Sequence, residues 1–140
     1  MSAGTMNIKQ LTGRNYHNYC APNIQELYFM KADLITDAVC HYYLMPRSKV
    51  FSGVRKFEIQ AVKRRLHALL TVNGIGSSMQ ELYSIYKTGN KAKAKGWDHS
   101  SVIHANKVVS NENQVYPEIR KEFEELSKII AGILDNWNKM

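Results

Sequence analysis

Gly96-Trp97-Asp98-His99-Ser100-Ser101-Val102-Ile103-His104-Ala105 reads as a glycine turn followed by the start of a helix. Asp98 suits an N-cap, because its carboxylate can accept from the backbone N–H groups left free at a helix start. Val102, Ala105, Val108 and Val109 then recur at three- and four-residue spacing, an inward apolar stripe. The front of this helix carries a carboxylate, an imidazole and two hydroxyls. Short polar side chains let a helix end come close to base edges. A carboxylate can accept from the cytosine amino group, and a hydroxyl can pair with several bases. The free N–H groups suit a phosphate. The same residues also suit an ordinary Asp cap followed by surface Ser and His.

Upstream, Ser78-Met79-Gln80-Glu81 has the pattern of a capping box. It opens a short helix expected to turn Leu82, Ile85 and Tyr86 inward, and a Gly- and Lys-bearing turn over residues 88–96 follows. That turn is longer than the three or four residues usual between the helices of a helix-turn-helix. Before it, Ile59, Val62, Leu66, Leu69 and Leu70 stripe a longer helix, with Lys63, Arg64 and Arg65 between them and Asn73-Gly74-Ile75-Gly76 at its end. Residues 47–53 read as a turn anchored by Val50 and Phe51. The first helix starts at Pro22 and carries Ile24, Leu27, Tyr28, Leu34, Ile35, Ala38, Val39, Tyr42 and Tyr43 on one face. Pro46 stops it by Met45, and Asp33 marks a point where it could break. Downstream, residues 111–115 read as a loop. Pro117 opens a last helix with Ile119, Phe123, Leu126, Ile130, Ile133, Leu134 and Trp137 on its buried side. No segment reads as a strand. The expected class is all-α: five to six helices around a helix-turn-helix, in one domain over residues 22–140, with residues 1–21 as an N-terminal arm.

The chain has 140 residues and a net charge of +7. The charge is uneven. Residues 47–109 hold twelve Lys or Arg against three acids, a net +9, and the remainder is −2. A concentrated basic field points to a polyanion, nucleic acid or an anionic surface, although a solvated basic face needs no partner. No run approaches the roughly 18 apolar residues of a membrane span, and the first residues lack a secretory signal. Cys20 and Cys40 are far apart and read as free thiols. The expectation is a cytoplasmic protein without membrane association.

The run Asp98-His99-Ser100-Ser101-Val102-Ile103-His104-Ala105 resembles the signature of the C-terminal DNA-binding domain of DnaA, the bacterial replication initiator. That signature reads Arg-Asp-His-(Thr or Ser)-Thr-Val-x-His-Ala at the start of the recognition helix. The resemblance spans roughly residues 35–135. Val39-Cys40-His41-Tyr42-Tyr43 with Val50-Phe51-Ser52 is similar to the domain's opening helix and turn. Glu81-Leu82-Tyr83-Ser84-Ile85-Tyr86 falls on the first helix of its helix-turn-helix, and residues 117–137 on its closing helix. The resemblance implies a fold of the Trp-repressor and DnaA C-terminal type. It implies that Asp98, His99 and Ser100 face bases in the major groove, with Ser101 at the groove or a phosphate. An arginine before the long helix would enter the minor groove, with Arg55 the best match and Arg47 or Lys56 the alternatives. His104 would pack or meet a phosphate.

Three departures alter these expectations. The signature's leading arginine is Trp97, counted among the phosphate or minor-groove candidates by position. The turn before it brings Lys91, Lys93 and Lys95 as added phosphate contacts. No GxxxxGK[ST] loop occurs in the chain, so the resemblance is to the DNA-reading module alone. The expected function is sequence-specific double-stranded DNA binding that regulates replication initiation or transcription, in a phage or mobile-element setting or an accessory regulator. A monomer is expected rather than a dimer.

Two rival readings differ in class. An enzyme or metal centre could be built on Asp98, His99 and His104. However, helical ligand pairs sit four apart rather than five, and no nucleophile elbow or paired-cysteine site appears. No catalytic residue, metal, cofactor or small-molecule substrate is therefore expected. Alternatively, the aromatic first helix (Tyr28, Phe29, Tyr42, Tyr43) could dock a replication protein instead of DNA, or the rings could fill the core.

Overall fold

The computed structural model describes residues 24–90 and 96–139. Within them the chain is all-helical: α1 Ile24–Tyr42, α2 Arg47–Val50, α3 Phe57–Val72, α4 Ser77–Thr88, α5 His99–Val115 and α6 Pro117–Lys139. The expected arm, residues 1–21, lies outside the described residues, as do Cys20 and the turn lysines Lys91, Lys93 and Lys95. Among the described residues no helix is long and apolar enough to cross a membrane.

The core forms around α3, which packs most extensively on α5. Val62, Leu66, Leu69 and Leu70 of α3 meet Ile35 and Val39 of α1, Tyr83 of α4 and Leu126 and Ile130 of α6 in one buried cluster. The apolar stripe read from the sequence on α3 is buried, as are Leu126, Ile130 and Leu134 of the α6 stripe. On α1 the buried face runs through Phe29, Ala32, Ile35, Val39 and Cys40, whereas Ile24, read as part of the stripe, is 69% exposed. On α4 the expectation fails. Leu82 and Tyr86 are 46% and 62% exposed, whereas Gln80, Tyr83 and Ser84 are buried. The inner face is rotated because buried polar groups find partners there. The Gln80 amide donates to the carbonyl of Ile75 at 2.8 Å and to the Thr71 hydroxyl at 3.0 Å. The Tyr83 hydroxyl donates to Asp33 at 2.6 Å. Polar groups satisfied in this way can be buried at little cost.

Asp33 does not break α1. Its carboxylate instead receives Arg47 at 2.7 Å, Tyr83, and Lys87 at 3.0 Å, joining α1 to α2 and α4. Burial alone would raise this carboxyl, but the hydrogen bonds from Tyr83, Arg47 and Lys87 outweigh it and hold the pKa low. The expected loop at 111–115 is also absent, since α5 continues to Val115. The break falls on Tyr116 alone, which is extended (φ −114°, ψ 104°). Pro117 forces that geometry, because its ring disfavours helix at the residue before it.

The end of α1 is closed by two backbone bonds, Met45 N–H to Cys40 at 2.9 Å and Leu44 N–H to His41 at 3.2 Å, the Schellman pattern that needs a left-handed residue at the position of Leu44. Leu44 has φ +53° and is 87% exposed. A leucine there carries backbone strain without packing in return. Leu44→Gly is therefore expected to raise stability by about 0.5–1 kcal/mol, read as a higher urea midpoint with an unchanged slope. A lower midpoint would show that the side chain matters more than the turn.

Candidate functional site

The start of α5 is set by residues immediately before it. Gly96 adopts φ +90°, which turns the chain inward at Trp97. Trp97 is wholly buried. It stacks on Phe51 (centroids 4.9 Å apart, planes at 14°) and meets the edge of His67 at 4.6 Å. Its Nε1–H donates to the carbonyl of Val50 at 3.0 Å. Trp97 thus pins α5 to α2 and α3 and is not available to a phosphate or groove, which corrects its placement among the contact candidates. The sequence did hold a signal for this. Trp97 stands just before the N-cap and Val102 four residues into the helix, the two positions of a hydrophobic staple, and both are fully buried.

Asp98 holds the N-cap position with extended geometry (φ −68°, ψ 163°). Its carboxylate makes no cap bond and takes the Ser101 hydroxyl at 2.6 Å, and this bond leads the causes that keep its pKa low. The cap of α5 comes instead from α4: Glu81 Oε1 accepts the His99 N–H at 3.1 Å. Glu81, read in the sequence as half of a capping box on its own helix, therefore ties α4 to α5. The start of α4 has Gly76 as its N-cap, without a side-chain bond. Ser77 pairs with His99 Nδ1, so only Nε2 of this exposed ring is left to face outward. Ser100 is exposed beside it, and His104 is exposed further along α5.

Between the start of α3 and the flank of α5 lies an open cleft of about 430 Å³. Arg55, Lys63 and Arg64 line one side, and Ser100, Ser101 and His104 line the other. None of the described residues that line it is acidic. Arg55 therefore shares this cleft with Ser100, Ser101 and His104. Lys56 is exposed at the N-cap of α3 but does not line the cleft. Arg47 is drawn elsewhere. Its guanidinium bonds Asp33 at 2.7 Å, Asp37 at 2.6 Å and the Tyr83 hydroxyl at 3.0 Å. Two acids one turn apart on α1 fit its planar fork and engage it in holding the fold.

Sequence reasoning counted Lys63 and Arg64 as charge but gave them no role. Lys63 is only 3% exposed, and its ammonium donates to the carbonyl of Ser52 at 3.2 Å. Burial, followed by repulsion from Arg55, lowers its pKa. Lys63 stands four residues after Ile59 and four before His67, on the buried stripe of α3, which was the available signal. Beneath the cleft His67 is fully enclosed, with Nδ1 2.9 Å from the Gln80 side-chain oxygen and Nε2 3.1 Å from the carbonyl of Gly96. Burial drives its pKa down to about 4.

Comparison with known proteins gives no match: no family model, no curated protein and no solved structure is similar to this chain at a significant level.

Proposed function

We propose that this chain binds double-stranded DNA, with α4 and α5 acting as a helix-turn-helix and α5 entering the major groove. The observation that carries this reading is the convergence of Arg55 with Ser100, Ser101 and His104 around one cleft free of acidic lining. An arginine and the face of a helix start, brought together from distant sequence, form a surface suited to a phosphate backbone beside a groove. The resemblance of residues 98–105 to an initiator signature supports the same surface. His99 and Ser100 are the exposed side chains at the front of α5, and with Asp98 they would read base edges. With Nδ1 engaged by Ser77, His99 offers a base a single nitrogen. Arg55 and Lys56 would hold the adjacent backbone or minor groove.

The test is fluorescence anisotropy on two duplexes, one carrying an initiator-type box and one scrambled, at two salt concentrations. Preference for the box with a steep salt dependence is expected. His99→Ala should cost about 1–3 kcal/mol on the box and little on the scrambled duplex. Equal losses on both duplexes would remove base reading by α5. No binding to either duplex at low salt would turn the assignment to a protein partner instead.

A further inference from the structure

We propose that the cleft between α3 and α5 is a phosphate pocket, in which Lys63 and Arg64 grip one phosphodiester of the DNA backbone while Ser100 and His104 close its opposite wall. The inference rests on the DNA-binding reading, and it assigns to that surface two residues given no role so far. Three observations carry it. Lys63 is 97% buried, yet among the described residues its ammonium makes one hydrogen bond, to a neutral carbonyl. An ammonium has three donors, and a lysine this deep is nearly always paired with an acid. Arg64, on the same wall, has its Nε buried with no partner among the described residues. Arg55 adds a third cation close enough to Lys63 to repel it.

Three cationic side chains therefore crowd a cleft whose described lining holds no carboxylate. The acid beside it, Asp98, is occupied by the hydroxyl of Ser101. Such an arrangement costs free energy until an anion enters. A tetrahedral oxyanion suits it because it can accept from several donors at once. Gly96 lies close against the Lys63 ammonium: a Cβ there would stand 3.1 Å from it, so the ammonium would have to give by a few tenths of an ångström. Of the two sources of phosphate, the DNA backbone is favoured because Ser100 belongs at once to the exposed front of α5 and to the wall of this cleft.

Lys63→Met and Arg64→Gln test the proposal in the full chain. Methionine keeps the length of the lysine stem and removes the charge. Lys63→Met should hold or raise the melting temperature, since an unpaired buried charge is lost. It should weaken binding to the box and to the scrambled duplex alike, about tenfold at 0.1 M salt, and lower the slope of log affinity against log salt by about one. A lysine serving the fold alone would give the reverse: lower stability and an unchanged salt slope. In parallel, inorganic phosphate should raise the melting temperature of the wild type more than chloride of equal ionic strength, and leave that of Lys63→Met unmoved.

Wild-type affinity and slope retained in both variants would overturn the pocket while leaving DNA binding intact. If the wild type binds neither duplex but phosphate still stabilises it through Lys63, the DNA source is overturned and the cleft serves free phosphate. If neither duplex nor phosphate acts, both readings fall. Arg64→Gln carries the same comparison should Lys63→Met not fold.

Discussion

Trp97→Ala is expected to lower the unfolding free energy by about 3–5 kcal/mol, the range for removing a large aromatic from a packed core. The indole fills the junction of three helices. It stacks on Phe51, meets His67 edge-on and lies 6.2 Å from the Tyr83 ring. Its loss leaves a void lined by aromatic faces that cannot close in, because α2, α3 and α4 are held by other contacts. The carbonyl of Val50 also loses its donor, and an unpaired buried acceptor adds about 1–3 kcal/mol to the cost of such a change. Trp97→Phe separates these effects. Most of the apolar volume stays and the donor is lost, so about half of the alanine penalty is expected. Urea denaturation followed by circular dichroism measures both variants. Wild-type stability in Trp97→Ala would mean that the ring is not the anchor of α5. Because Trp97 sets where α5 begins, folded Trp97→Phe should also lose affinity for every duplex, unlike the front-face variants.

Lowering the pH from 7 to 4.5 is expected to remove up to about 3 kcal/mol of stability through His67. The ring is fully enclosed and its pKa is pushed to about 4, against an ordinary value of 6.5. The folded state therefore holds the neutral ring while the unfolded chain takes up a proton below pH 6.5. Stability due to this group is complete above that value. It declines as the pH falls toward 4 and then levels off, once both states are protonated. Asp33 and Asp98, both held below the ordinary carboxylate value of 3.8, titrate lower and leave this window to His67. Urea midpoints at pH 7 and 4.5, compared between wild type and His67→Gln, give the check. The variant should be nearly flat between the two. An equally steep loss in both proteins would place the titration elsewhere.

These expectations divide along what each level of description could supply. The helical class, the apolar stripe on α3, the buried positions of α6 and the stops at Pro46 and Gly74 were legible in the linear sequence. They depend on the 3.6-residue period and on backbone limits that act within a few residues. The candidate surface was legible in part. The polar run at the start of α5 could be picked out, and Arg55 could be nominated, but nothing local could show that they share a cleft.

What the sequence left open was the fate of polar and amphipathic side chains. Trp97 read as a substituted surface arginine and became the anchor of α5. Glu81 read as half of a local capping box and caps a different helix. Arg47 read as an alternative for the minor-groove arginine and is held by Asp33 and Asp37. Lys63 read as one more surface charge and lies buried with no acid bonded to it among the described residues. In each case the partner is distant in the chain or belongs to another element. A charged or hydrogen-bonding group is placed by the partners that offset its desolvation, and only the packing of α1, α3, α4 and α5 decides which partners those are.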